Sequence, residues 1–365
     1  MRHVDNPPNP YLSEHRVWLE PPPPAKIEVF EETAGSILSE NDSPDLPFRW
    51  SANPYRGCQH ACAYCYARPS HEYLGFGAGT DFDTRLIVKT NAPELLAQAF
   101  NRRSWKRELV NFSGVTDCYQ PLEAVYGLTR RCLEVCLDFR NPASVVTKSY
   151  LVVRDVDLLL RLQEQSDGGV YQSIAFIDDD VARAVEPNAP PPSRRFDALR
   201  TLAAAGVRVG VMVAPIIPGL NDRDVPRVLE RAAECGAVSA GYIALRLPGS
   251  VESVFLSRIE AALPDRAGRI ESRIREIRGG RLNDPRFGSR MRGGGVYWNS
   301  VAQLFVMSCR RYGLNALGRA SAFPKGAATC GDRPSPEDVG AASSECAAPD
   351  SRREAESTQL RLFPD

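Results

Sequence analysis

The chain has 365 residues, 43% hydrophobic and 25% charged, which is enough to bury one large core and is the composition of an ordinary globular protein. Its 45 basic and 45 acidic residues cancel, which excludes a protein that holds polyanions by bulk charge but leaves room for a local basic groove. No run approaches the ~20 apolar residues of a membrane span and the start "MRHVDNPPNPYLSEH" has no signal-peptide core, so a cytoplasmic protein with no membrane partner is expected.

Residues 1–47 are rich in Pro and acidic groups and lack a sustained period, so they read as a flexible N-terminal arm, extended over the surface or partly disordered. A core domain is expected over 48–317, with its first strand in "FRWSANPY". "ELVNFSG" (108–114) precedes the helical pattern "GLTRRCLEVCLDF" (127–139), and "PASVVTK" (142–148) precedes "VRDVDLLLRLQEQ" (153–165). "YQSIAFI" (171–177) leads into "PSRRFDALRTLAAAG" (192–206), and "VRVGVMVAPIIPG" (207–219) into "DRDVPRVLERAAECG" (222–236). "AVSAGYIALRLPG" (237–249) precedes another helix. Apolar β-branched runs, each followed by a 3.6-residue period, mark parallel βα units. About six such units predict an α/β fold, an open, partial (β/α)6 TIM-like barrel, with a doubly wound sheet as the alternative. In either fold the C-terminal ends of the strands carry the chemistry. The segment 318–365 is polar and low in aromatics, and is predicted to be a disordered tail.

Three of the ten cysteines, Cys58, Cys62 and Cys65, fall within eight residues of "NPYRGCQHACAYCYARPSHEYLG". In a reducing compartment, cysteines are metal ligands, catalytic thiols or buried small hydrophobes rather than disulfides. Three thiolates spaced C-x3-C-x2-C fit three corners of a [4Fe–4S] cube, leaving the fourth iron open to another ligand. Cys118 is the nearest candidate fourth thiol but belongs to another strand end. The competing reading is a structural zinc site completed by His60 or His71. Lysine is scarce, with five against 40 arginines, so at Lys89 and Lys148 a slim point charge is expected to matter where a planar fork would not serve.

The cysteine spacing, with aromatic Tyr64 just before the last cysteine, resembles the signature of the radical S-adenosylmethionine (radical SAM) superfamily. The surrounding string resembles the branch that contains spore photoproduct lyase, especially a group of bacterial proteins sharing it. The resemblance spans roughly residues 40–315 and implies that the three cysteines hold a [4Fe–4S] cluster whose unique iron is chelated by S-adenosylmethionine. A one-electron donor such as flavodoxin or ferredoxin would then drive cleavage to a 5′-deoxyadenosyl radical. It implies that Tyr64 shields the cluster near the adenine, and that Ser113, Gly114, Thr116 and Asp117 in "FSGVTD" meet the methionine ammonium. The bland alternative there is a strand-ending turn. Lys148 in "TKS" would meet the carboxylate, or else be a solvated strand-end lysine. Glu186 and Arg195 would hold ribose or substrate, or merely pair with each other on the rim. "APIIPGLND" (214–222) would back the adenine, and Arg246 is a candidate for an anionic substrate. The lyase uses a cysteine to return hydrogen to its product; near Gly114 this chain has none. Cys118, with Tyr119 behind it, is the substitute, against the reading of a buried structural cysteine.

From Arg266 to Arg292 nine arginines face three acidic residues, either a phosphate-binding groove or a solvated helix face with ordinary ion pairs. Near the end, Gln359, Leu360, Leu362 and Phe363 of "QLRLF" resemble the Q-L-x-L-F peptide with which bacterial polymerases and repair proteins dock on the sliding clamp. The combined expectation is a radical SAM enzyme acting on a nucleic acid, in lesion repair of DNA. The alternatives are modification of a tRNA or protein, and a zinc-stabilised, clamp-tethered interaction protein.

Overall fold

The computed structural model describes residues 6–13 and 26–316. Eleven strands lie among them: β1 (Glu28–Glu32), β2 (Leu38–Glu40), β3 (Trp50–Ala52), β4 (Tyr55–Arg56), β5 (Arg85–Lys89), β6 (Val110–Phe112), β7 (Ala143–Thr147), β8 (Gly168–Ser173), β9 (Val209–Ile216), β10 (Ser239–Ala244) and β11 (Asn315–Ala316). Six of them, β3 and β6 to β10, are the strands of the six expected βα units, and they lie side by side in chain order, all parallel. A doubly wound sheet would reverse its winding midway; this one adds each new strand on the same side, as a barrel wall does. The wall does not close. β11 extends it parallel to β10 at one edge, and β2 runs antiparallel to β3 at the other.

The reason these segments are strands is visible in one row across the sheet. Phe112 is opposite Val145, Val145 opposite Val170, and Val170 opposite Val209, and all four are buried. All of β8 is buried, as expected where both faces of a parallel strand are covered. The covering helices include Leu128–Asp138, Val156–Ser166, Pro192–Ala204 and Val225–Glu234. The last of these buries Val225, Val228, Leu229 and Ala232, an i, i+3, i+4, i+7 stripe, against the sheet while its arginines and glutamates face outward. Beyond β10 come helices Val251–Ala262, Pro264–Ile277 and Gly295–Arg311.

Two features differ from expectation. The leader ahead of residue 48 contributes strands: β1 joins β5 and β4 in a second, three-stranded sheet, and β2 caps the barrel edge. Asp45 also accepts hydrogen bonds from Gly288 N (2.7 Å) and Arg290 Nε (2.7 Å), stitching the leader to a segment 243 residues away. Second, β5 and the helix Ala92–Phe100, absent from the six-unit pattern, separate the cysteine motif from β6. The tail, including 359–363, lies outside the described residues. No helix among the described residues is long and apolar enough to cross a membrane.

Candidate active site

The cysteine loop leaves β4 through Gly57, at φ +73°. A Cβ there would meet Phe82 O, His71 Cε1 and Leu86 Cδ2, each at 2.9 Å, so only glycine lets the chain turn so tightly. Cys58 N then donates to Phe82 O (3.0 Å), Ala63 N to Val185 O (2.8 Å), and Cys65 N to Cys62 O (3.3 Å). These bonds fix the loop at the end of the barrel where β8 also terminates. Cys58 and Cys62 are buried and Cys65 is half-buried, all as free thiols. Burial pushes the Cys62 and Cys65 thiols up, opposed by Lys148 at Cys62 and by Arg68 at Cys65, with smaller upward contributions from Glu186 at Cys62 and from the neighbouring cysteines. Burial also acts on Cys58, but His60 beside it outweighs that and holds the thiol below its ordinary value.

Two guanidinium groups grip this loop from beneath. Arg68, fully buried, donates from Nε and Nη2 to Cys62 O (3.1 and 2.8 Å), from Nη1 to Ala78 O and Gly79 O (2.9 and 2.8 Å), and from Nη2 to Asp83 Oδ1 (2.8 Å). Arg258 donates to Ala61 O and to the other oxygen of Asp83. One carboxylate thus serves two buried cations that hold adjacent carbonyls of the cysteine loop. Sequence reasoning missed all three. The only available signal was "ARP" (67–69), one residue beyond the last cysteine, to which no role was assigned.

The loop after β6 forms the neighbouring wall. Ser113 and Gly114 both adopt positive φ (131° and 124°), a strained choice for serine of the kind that gathers at functional sites. A Cβ on Gly114 would meet nothing within 4 Å, so the turn faces open space, while its carbonyl accepts from Tyr66 Oη (2.5 Å). Ser113 Oγ donates to Thr116 O (2.9 Å), and Thr116 Oγ1 donates to Gly57 O (2.7 Å), joining this loop to the cysteine turn. Gln120, another residue the sequence did not flag, donates to Gly57 O (3.1 Å) and accepts from Gln59 N (3.1 Å).

Asp117 is a strut. Its Oδ1 accepts from Thr147 Oγ1 (2.6 Å) and Tyr119 N (2.9 Å); its Oδ2 accepts from Lys148 N (2.7 Å) and lies 3.3 Å from His60 Nδ1. Burial opposes its ionisation, but His60 beside it and these donors hold it well below the usual carboxylate range. Burial would likewise depress His60, yet the Cys58 and Asp117 charges raise it to about 10. The carboxylate expected to meet an ammonium is therefore occupied in tying together β6, β7 and the cysteine loop.

Lys148, at the end of β7, sets its Nζ 5.7 Å from the ring centroid of Tyr64. Tyr64 is buried and its hydroxyl donates to Glu186, whose other oxygen accepts from Arg195. Arg195 also donates to Pro190 O (2.6 Å) and Ser173 O (3.2 Å). Glu186 and Arg195 do pair with each other, but at 1% and 0% exposure they pair inside the protein and not on a rim. They brace Tyr64 from behind. Cys118 and Tyr119 turn the other way, into the core: Cys118 Sγ faces Phe112 O (3.7 Å), and Tyr119 Oη donates to Asp155 (3.0 Å), itself held by Arg130 and Arg154. Burial pushes both well up, which keeps them protonated.

Among the described residues no three His, Cys, Asp or Glu side chains converge on the position of a single ion. His60 is engaged with Asp117, and His71 with Arg85 O (2.7 Å). Three free thiols on one loop are the ligand set a cluster takes, each bound to a different iron. The open side of Gly114 and the cation of Lys148 provide room and charge for an amino acid group beside it.

Comparison with known proteins agrees. Residues 52–232 match the model of the radical SAM superfamily. An uncharacterised protein of Mycobacterium tuberculosis is 39% identical over 234 residues, covering 64% of this chain and 68% of that one. Another, of Methanocaldococcus jannaschii, is 32% identical over 198 residues, covering 54% of this chain and 71% of the relative. Among solved structures, spore photoproduct lyase complexed with dinucleoside spore photoproduct shares the fold, with a TM-score of 0.56 at 18% identity over 79% of this chain and 81% of that chain. The chain belongs to the radical SAM superfamily, and is an enzyme that uses a [4Fe–4S] cluster and S-adenosylmethionine.

Proposed function

We propose that Cys58, Cys62 and Cys65 hold the cluster, that Lys148, Tyr64 and the Ser113–Gly114 turn bind S-adenosylmethionine, and that the enzyme acts on a nucleic acid, with DNA lesion repair as the first reaction to test. With its electron supplied by a small carrier such as flavodoxin or ferredoxin, the cofactor pair delivers a 5′-deoxyadenosyl radical that removes a hydrogen atom from the substrate. The protein's part is placement. Lys148 supplies a point charge for the carboxylate, and Tyr64, braced by Glu186 and Arg195, gives it a fixed ring to lie over. Asp117 sets the backbone of Lys148 and the imidazole of His60. The Ser113–Gly114 turn leaves its open side for the ammonium.

The observation that carries this reading is the meeting, at the ends of six parallel strands, of three free thiols, an open strained turn and a lysine over an aromatic ring. The nucleic-acid substrate is supported more lightly, by the dinucleoside bound to the structurally similar lyase and by the clamp-like tail peptide. The burial of Cys118 and Tyr119 favours a packing role for both over hydrogen donation. Anaerobic reconstitution should yield about four irons per chain, and Cys58→Ala, Cys62→Ala or Cys65→Ala should each lose them. Assay of 5′-deoxyadenosine with UV-irradiated DNA, tRNA and peptides then tests the substrate class. Stimulation by tRNA or peptide, with none by DNA, would replace the repair reading by the modification one.

A further inference from the structure

Five arginines of this part of the molecule are withdrawn from solvent, and four of them have their acceptors. Arg68 and Arg258 hold the cysteine loop, Arg195 holds Glu186, and Arg278 donates to the carbonyls of Leu245, Ser289, Arg290 and Arg292. The fifth is Arg246, two residues beyond the end of β10. Its guanidinium meets only Met291 Sδ (3.3 Å), a weak acceptor, and among the described residues no carboxylate pairs with it. The acid that influences it, Asp45, already accepts from Gly288 N and Arg290 Nε. Burial, and then Arg290, lower its hold on its proton. A half-buried cation beside a second cation, without a counter-ion, is costly to keep.

Its surroundings say what the missing anion belongs to. The Arg246 guanidinium carbon lies 5.8 Å from the ring centroid of Tyr66, the half-exposed residue that directly follows Cys65. Arg290, whose charge acts on Arg246, lies over the exposed ring of Phe287, 4.2 Å away. Exposed rings alternating with guanidinium groups form the surface that single-stranded nucleic acids use, with bases on the rings and phosphates on the cations.

We propose that Tyr66, Arg246, Arg290 and Phe287 form a nucleotide track leading to the cluster mouth, with Arg246 gripping a backbone phosphate of an unpaired strand. This rests on the nucleic-acid reading above and adds to it where, and in what form, the substrate enters.

The test is binding of a fluorescent single-stranded oligothymidylate of eight nucleotides to reconstituted enzyme with S-adenosylmethionine present, followed by anisotropy across a salt series. Arg246→Gln should weaken binding about ten-fold or more and reduce the slope of log K against log salt by about one. Arg246→Lys should keep the slope while recovering only part of the affinity, and Phe287→Ala should lose several-fold with the slope unchanged. Arg266→Gln, an exposed arginine away from the track, should have little effect. A methylphosphonate version of the strand, neutral along its backbone, should bind equally to wild type and Arg246→Gln. Iron content checks that each variant folds. If wild type binds the strand and Arg246→Gln matches it in affinity and slope, this inference fails while the nucleic-acid reading stands. If wild type does not bind the strand at all, the track fails, and the nucleic-acid reading is decided separately by 5′-deoxyadenosine formation with UV-irradiated DNA and tRNA.

Discussion

Lys148 and Lys89 show what two slim charges do in a chain otherwise supplied with arginine. Lys148 sits over Tyr64 with its backbone N–H pinned by Asp117, so its ammonium has a defined place beside the cysteines. Lys148→Ala should weaken S-adenosylmethionine binding roughly ten- to a hundred-fold, the range of one charge-assisted hydrogen bond, with iron content unchanged. Equilibrium dialysis of the reconstituted variant checks this, and an unchanged Kd would return Lys148 to the role of a solvated strand end. Lys89, at the end of β5, is buried on the sheet face it shares with Arg56 and Glu32. Burial, and then Arg56, push it down to about 8, with Glu32 opposing. An unfolded lysine keeps its proton to ~10.4. Between those values the unfolded chain binds more protons, so this lysine makes stability rise with pH through that window and costs most below it. Lys89→Met should therefore melt higher than wild type at pH 7, by an amount on the order of 2 kcal/mol, and the gap should shrink as pH climbs from 8 to above 10. A gap that does not vary with pH would refute this account.

At the scale of elements, the cysteine loop is a segment without regular structure that is held by others. The short helix Thr80–Thr84 contributes Asp83, the 3-10 turn Arg68–Leu74 contributes Arg68, and the helix Val251–Ala262 contributes Arg258. Asp83→Ala would leave two guanidinium groups buried without their shared anion. Removal of one partner from a buried ion pair costs about 3–5 kcal/mol. The variant should melt lower by a comparable amount and lose iron to a chelator faster than wild type. Wild-type rates of iron loss would show that the loop holds itself. The wall strands β7 to β10 were legible because they are five to eight residues long with apolar residues that are followed by a helical period, and β6 because a helical pattern follows it. β1, β2 and β4 were not. They are two to five residues long, and β1 and β4 take their sheet from β5. The basic stretch is resolved at this scale too. Arg273 pairs with Glu276 (2.5 Å), Arg275 with Glu271 (2.8 Å) and Arg286 with Asp284 (3.0 Å), so three of its nine arginines lie in local surface pairs, while Arg278 is spent on backbone carbonyls and Arg290 pairs with Asp45. Such pairs contribute little to stability individually.

For the whole molecule, the barrel wall stays open, and the proposed track draws on three separate loops: Tyr66 from the cysteine loop, Arg246 from the loop after β10, and Phe287 and Arg290 from the segment between the helices Pro264–Ile277 and Gly295–Arg311. The peptide at 359–363 is a separate proposition, resting on sequence alone. If it docks on a sliding clamp, Leu362 and Phe363 enter an apolar pocket as paired anchors, and binding of a short peptide that orders on contact should be micromolar. Leu362→Ala with Phe363→Ala should abolish binding of the full chain to the clamp in calorimetry while leaving 5′-deoxyadenosine formation intact, because the anchors lie outside the barrel's sequence. Absence of wild-type binding at high micromolar clamp would remove that argument for DNA.

The sequence by itself determined what depends on near neighbours. Three thiols in eight residues can only be a shared local site, and β-branched runs followed by helical periods can only build a parallel wall. Lys148 could be named because a strand end and a scarce residue type are both visible in one dimension. What each remaining polar group does was settled by partners far along the chain. Asp117 faces Thr147 and His60 and not open space, Glu186 closes on Tyr64 from 122 residues away, and Arg258 reaches Ala61 across 197. Cys118 points inward because β6 and the helix packed on it turn it so. Arg246, alike in sequence to the chain's other 39 arginines, is set apart from the buried arginines described above by meeting only a thioether sulfur and, among the described residues, no carboxylate. A buried charge is defined by its counter-ion, and the counter-ion is chosen by the fold.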